Sequence, residues 1–193
     1  ARVLGHDNSL YGGETGKEHM GLRVGVIGCG YWGPRLVRNF ASVLDEGMCA
    51  VADMDQSRLE SIAQQYPFLR TTRNPLDLIQ SNDVDAVAIA TPVHTHFDLA
   101  RAAISAGKHV LIEKPMTDSV ETSIELIELA NKAEVVLMVD HTFVYTGAVR
   151  EMKVIVDRGE LGDLFYFDSV RVNLGLFQHD VNVLWDLAPH DVS

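Results

Sequence analysis

Cysteine is nearly absent from this sequence. Cys29 and Cys49 are the only two among 193 residues. A disulfide framework is thereby excluded, and a reducing, cytoplasmic setting is expected. Long apolar runs are missing as well. None approaches the ~20 residues that a bilayer span needs, and residues 1–20 do not read as a secretory signal. No membrane partner is expected. Basic residues are scarce: 16 Lys and Arg stand against 27 Asp and Glu, a formal net charge of −11. That argues against a general nucleic-acid binder, which needs clustered cations to neutralise phosphates. An anionic ligand would have to be held by local groups such as helix N-termini. What the chain does have is apolar content, 47% of its residues. That is enough for a packed core, at a length fitting one domain and part of another.

One stretch organises the rest. The apolar run Val24-Gly-Val-Ile27 leads into Gly28-Cys-Gly30-Tyr31-Trp32-Gly33, and a helical pattern follows. This is a dinucleotide-binding fingerprint in its required strand–turn–helix setting. The first glycine allows the tight turn, the second lets backbone approach a pyrophosphate, and the third lets helix and strand pack closely. The free N–H groups of the helix start then face the anion. Asp53 lies 20 residues after Gly33, at the end of the next apolar run. A carboxylate there accepts bonds from ribose hydroxyls and repels a 2′-phosphate, which favours NAD over NADP. Arg58 keeps NADP open, and a plain helix-capping role for Asp53 is the alternative.

The remaining chain alternates. Residues 1–20 hold four glycines and no apolar period, and read as a flexible extension or tag. Strands are expected at 22–28, 48–53, 69–71, 84–90, 109–112 and 135–139. Helices are expected at 33–44, 56–65 and 96–106, with a turn after Pro75. A further helix should start at Asp118, capped by a box with Glu121, with Val120, Ile124 and Ile127 as its apolar stripe. This β-α alternation predicts a doubly wound parallel sheet spanning residues 21–143. After Asp140 the pattern changes to a helix at 147–158 and an alternating strand at 164–173. Residues 144–193 therefore read as the incomplete beginning of a second, sheet-containing domain, and the chain as C-terminally truncated.

Three further clusters could carry chemistry. Thr91-Pro92-Val-His94-Thr-His96 follows the fourth strand, at the sheet edge where doubly wound folds bind ligands. A turn and a helix start explain it equally well. Glu113-Lys114-Pro115 follows the fifth strand. Its lysine could stabilise a developing alkoxide, or could form an ordinary surface ion pair. Asp186-x-x-x-His190 could place a general base beside an orienting carboxylate. A capping Asp and a structural His fit the spacing too. No cysteine pair or His-Glu-x-x-His pattern supports a metal site.

Taken together, the glycine loop, Glu113-Lys114-Pro115 and Asp186-x-x-x-His190 resemble the glucose–fructose oxidoreductase/inositol dehydrogenase/MocA-like (Gfo/Idh/MocA) family, over residues 22–193. The resemblance implies an N-terminal Rossmann domain holding a nicotinamide cofactor and a C-terminal α+β domain with an antiparallel sheet for a sugar or polyol. It also implies a homo-oligomeric parent. Carried over, the catalytic set is Lys114, Asp186 and His190, with His190 supported by Asp186. Cofactor contacts fall to Gly28, Gly30, Tyr31, Trp32, Gly33, Asp53, Thr91, Pro92, His96, Glu113 and Lys114. Substrate contacts fall to Lys114, Tyr145, Arg171, Asn173 and His190. Gly30-Tyr-Trp-Gly-Pro34 and Arg171-x-Asn173 look most like the sugar-nucleotide branch, where Arg171 could meet a diphosphate. The expected activity is hydride transfer between nicotinamide and a secondary alcohol or ketone of a sugar. The competing reading is a dinucleotide-binding module or fragment without turnover.

Overall fold

The computed structural model describes residues 21–44, 47–171 and 181–193. Six strands form one parallel sheet in the order β3-β2-β1-β4-β5-β6. They are β1 (Val24–Ile27), β2 (Met48–Ala52), β3 (Arg70–Thr72), β4 (Ala86–Ile89), β5 (His109–Ile112) and β6 (Leu137–Val139). Helices α1 (Gly33–Val43), α2 (Gln56–Gln65), α3 (Pro75–Ile79), α4 (His96–Ser105) and α5 (Val120–Ala133) connect them. This is the expected doubly wound, Rossmann-type arrangement.

The central strands are apolar because both faces are covered. Every residue of β1 and β4 is buried. Successive side chains point to opposite faces, so each strand feeds two cores. Ile27, Ala52 and Ile89 join Leu78, Ala100, Ile104 and Leu126 under α3, α4 and α5. Val26, Val51 and Ala88 join Val37, Leu59 and Ile62 under α1 and α2. A side chain as deeply buried as Ile89 contributes about 1.5–3 kcal/mol.

The strand ends are flush. Ile27 pairs with Ile89, Ile89 with Ile112, and Ile112 with Val139. The next amides extend the ladder: Ala90 donates to Ile27, Glu113 to Ile89 and Asp140 to Ile112, at 2.8–2.9 Å. Gly28, Ala90, Glu113 and Asp140 thus leave the sheet in one row.

Several local expectations are corrected. Helix α5 is capped by Ser119, which accepts from the Thr122 amide, and the Asp118–Glu121 box is not the cap. Ser119 has the extended backbone that a cap requires. Val120, Ile124 and Ile127 do form a stripe, but they are 55%, 50% and 43% exposed. The face turned to the core carries Leu126 and Ala130 instead. Residues 164–171 pair with no strand among the described residues, and Phe165, Tyr166 and Phe167 are exposed. An extended run without a ladder partner has no hydrogen bonds to hold it as sheet. Positions 172–173 of that expected strand, and the expected extension 1–20, lie outside the described residues. Beyond β6 come α6 (Gly147–Asp157), α7 (Val183–Leu187) and α8 (Pro189–Val192). No helix among the described residues is long and apolar enough to cross a membrane.

Candidate active site

The chain order reverses between β1 and β4, and the sheet opens there at its carboxyl edge. A cleft of about 820 Å³ lies at that point. Its first wall is the β1–α1 turn. Gly28 sits at φ 96°, and a Cβ there would lie 2.5 Å from the Ala90 carbonyl oxygen. A Cβ on Gly33 would overlap the Gly28 carbonyl, whereas one on Gly30 would meet only Arg58 Nη1, at 3.8 Å. Gly30 therefore presents open backbone to the cleft. Helix α1 has no side-chain cap and no acidic residue in its first turn. Pro34 has no N–H and the Arg35 and Leu36 amides donate to the Trp32 carbonyl, so the positive end of the helix dipole and the glycine-turn backbone are what face an anion here. These features fit a dinucleotide.

Asp53 holds the turn in place. Its Oδ2 accepts the Cys29 amide at 2.6 Å and its Oδ1 accepts the Asp55 amide at 2.8 Å. Each oxygen keeps a second lone pair, and the residue lines the cleft. Arg58 stands 3.7 Å from Asp53 Oδ2. Tyr31 and Trp32 flank the cleft, half-exposed, with the Arg35 guanidinium 4.0 Å and 5.1 Å from their ring centres. Burial, helped by the Asp53 charge, pushes the Cys29 thiol up to about 12. It is an inert core group, not a nucleophile.

The opposite wall comes from the segments after β4 and β5. Thr91, Pro92, His96, Glu113 and Lys114 all line the cleft. Lys114 Nζ donates to Asp186 Oδ1 at 2.6 Å and to the Asp186 carbonyl at 3.0 Å. Asp186 is delivered by α7, which Asn182 caps and Trp185 anchors through an indole bond of 2.8 Å to the Thr117 carbonyl. His190, on α8, packs its ring 4.7 Å from Phe143. Burial first, then the charges of Lys114 and Arg171, hold its imidazole below the ordinary histidine value. The shift favours the unprotonated form that a general base requires. Among the described residues, no three His, Cys, Asp or Glu side chains converge as a metal cage.

Residues 22–141 match the family model described as an oxidoreductase family with an NAD-binding Rossmann fold, GFO_IDH_MocA. The chain belongs to this family. Inositol 2-dehydrogenase 3 of Saccharopolyspora erythraea is 35% identical over 179 residues, covering 90% of this chain and 52% of that protein. The oxidoreductase YdgJ of Escherichia coli is 30% identical over 186 residues, 88% of this chain and 51% of its own length. An NAD-binding oxidoreductase of Klebsiella pneumoniae superposes with a TM-score of 0.63 at 33% identity, over 73% of this chain and 40% of that one. The chain spans about half the length of the curated relatives it matches. NAD is the cofactor of the matched fold.

Within this Gfo/Idh/MocA chain, some expected residues meet and others do not. Asp186 bonds Lys114, not His190. Ala188 separates two short helices, so the pair does not share one continuous turn. Nδ1 of His190 is buried without a hydrogen-bond partner among the described residues. Arg171 forms a fork with Asp191, Nη2–Oδ1 2.6 Å and Nε–Oδ2 3.2 Å, and its guanidinium lies 4.6 Å from the Phe143 ring centre. The fork that was to meet a diphosphate is already occupied. Tyr145 is half-exposed beside Arg150 and does not line the cleft. Asn173 lies outside the described residues.

Asp140 is a partner of the cleft residue Glu113 that sequence reasoning overlooked. It follows β6 in the same row as Glu113, and the two carboxyls interact. Burial, then the charge and hydrogen bond of Asp140, push the Glu113 carboxyl from 4.5 up to about 7. The useful signal was positional: each acid is the first residue past its strand. The folded protein thus holds a proton that the unfolded chain has released above pH 4.5. The associated stability is fully present below that pH and is lost as pH rises through 7. Unfolding free energy should drop by about 2–3 kcal/mol across this window because of the pair. Urea titrations at pH 5 and pH 8 test this against Glu113→Gln, which keeps an N–H donor and cannot ionise. The pH dependence should be shallower in the variant, and equal dependence in both proteins refutes the shared proton.

Proposed function

We propose that this chain carries the cofactor site and the reacting residues of an NAD-dependent dehydrogenase acting on a secondary alcohol of a cyclic polyol or sugar. The observation that carries the proposal is the Lys114–Asp186 pair on the wall of the cleft; His190 does not line the cleft but is close enough for the Lys114 charge to lower its pKa. Bound NAD would supply the hydride chemistry, as oxidant for the alcohol carbon or, in its reduced form NADH, as hydride donor to the ketone. The glycine turn and the α1 N-terminus would hold its pyrophosphate, and Asp53 its ribose. Lys114 donates a hydrogen bond to the substrate oxygen and opposes the negative charge that grows there. Asp186 aims the ammonium through its carboxylate and carbonyl bonds. His190 takes the hydroxyl proton, and returns it in the reducing direction.

A polyol is favoured over a nucleotide-linked sugar on two grounds. The 35%-identical relative is named as an inositol dehydrogenase. Arg171, the cation expected to meet a diphosphate, is paired with Asp191. A second reading, a cofactor-binding module without turnover, draws on the chain's span of about half its relatives' length.

One set of titrations separates them. NADH fluorescence should report binding, and NADPH should bind at least about tenfold more weakly because a 2′-phosphate would meet Asp53. Adding NAD with myo-inositol, scyllo-inositol, free hexoses or a UDP-sugar then reads turnover at 340 nm. Reduction with an inositol or hexose supports the dehydrogenase. Reduction with the UDP-sugar alone overturns the substrate class. NADH binding with no reduction favours the module.

A further inference from the structure

His96 was assigned above as a cofactor contact, yet its geometry points to a different task. The ring is 1% exposed. Nδ1 lies 3.0 Å from the Pro115 carbonyl oxygen and Nε2 lies 2.8 Å from the Thr91 carbonyl oxygen. The two carbonyls belong to the segments that leave β4 and β5, which build the second wall of the cleft. Both oxygens can only accept, so a neutral imidazole donates its one N–H to one of them: the Nδ1–H tautomer serves Pro115 and the Nε2–H tautomer serves Thr91. Pro115 immediately follows Lys114, and proline has no N–H of its own through which the segment could be tied. Besides the Glu113 ladder bond and the Trp185–Thr117 bond, the Lys114 segment is restrained by Asp186 at the ammonium and by the Pro115 carbonyl just past its base.

We propose that His96 is a positioning residue for Lys114, acting through an Nδ1–H bond to the Pro115 carbonyl. The substrate role of Lys114 belongs to the function proposed above, but the restraint does not depend on it. His96 reads the sheet geometry at the start of α4 and transfers it to the loop carrying the lysine. Because α4 packs on β4 and β5, the bond ties the Lys114 loop to the same rigid body.

Side-chain mimics divide the two ends of the ring. Asparagine can place an amide N–H near the Nδ1 position, and glutamine can place one near Nε2. Leucine offers neither. The readout is the rate of reductive methylation at Lys114, followed by peptide mass spectrometry, which needs no enzymatic turnover. Lys108, bonded to the Ser81 and Val84 carbonyls, serves as the folded-state control. Loss of one hydrogen bond should raise Lys114 labelling by about fivefold in His96→Gln and His96→Leu, with Lys108 unchanged. His96→Asn should stay within about twofold of the parent protein. Where turnover is measurable, the Gln and Leu variants should lose kcat with little change in NADH affinity. Unchanged Lys114 labelling in His96→Leu, or equal acceleration in the Asn and Leu variants, overturns the proposal. Acceleration at Lys108 marks a misfolded variant, and the comparison then rests on Asn against Gln alone, with equal rates overturning it.

Discussion

Lys114→Met should lower polyol-dependent NAD reduction by about a thousandfold while leaving NADH affinity within about threefold. Methionine keeps the length and apolar stem of the side chain but removes the charge. In the folded chain that charge is held at 2.6 Å by Asp186 Oδ1 and points at the cleft. The hydroxyl oxygen gains negative charge as hydride departs, and a fixed cation is worth more there than to the neutral ground state. The loss should therefore appear in kcat, not in cofactor binding. Asp186→Asn should cost less than Lys114→Met, because the lysine keeps the carbonyl bond at 3.0 Å and loses only its ionic partner. A loss below tenfold in Lys114→Met would remove the lysine from the reacting group. His190→Gln supplies the matching test of the base, and its deficit should shrink as pH rises and hydroxide replaces the imidazole.

The second large effect comes from the glycine turn, where two substitutions of one type should part company. Gly33→Ala places a methyl into the Gly28 carbonyl, a backbone atom that cannot swing aside. The β1–α1 junction must open, with an expected stability loss of about 3 kcal/mol or more. Both the melting temperature and NADH binding should drop. Gly30→Ala meets only the flexible end of Arg58 at 3.8 Å. Its stability should stay within about 0.5 kcal/mol of the parent. NADH should nevertheless bind at least tenfold more weakly, since the added methyl occupies the approach of the pyrophosphate. Thermal melts and fluorescence titrations of the two variants decide this. Full NADH affinity in Gly30→Ala would move the pyrophosphate away from this turn.

Much of this architecture was legible in the residues. The apolar runs of β1 and β4 announced strands buried on both faces, and glycine spacing marked the turn between β1 and α1. What escaped were pairings between distant positions. Asp186 and His190 lie close in sequence and suggested a dyad. The carboxylate instead bonds Lys114, 72 positions away, because Trp185 fixes α7 against the loop after β5. Arg171 looked like a free cation for a diphosphate, and Asp191 neutralises it. Helix α5 shows a different failure. Periodicity detects an amphipathic stripe but cannot say that Leu126 and Ala130, and not Val120, Ile124 and Ile127, turn inward. At 164–171, alternation signalled a strand, but a strand exists only with a neighbour to share its hydrogen bonds.

The flush row formed by Gly28, Ala90, Glu113 and Asp140 has a metric consequence. Adjacent strands stand about 4.8 Å apart, so the glycine turn and the base of Lys114 are separated by two strand spacings, roughly 10 Å. Ladder hydrogen bonds set this distance, and loop length does not enter it. The gap between the glycine turn and Lys114 is therefore a gauge built into the sheet. Loops around the rim can be exchanged or lengthened to admit a different alcohol without resetting it. A single-residue slip in β5, by contrast, would send the lysine to the opposite face.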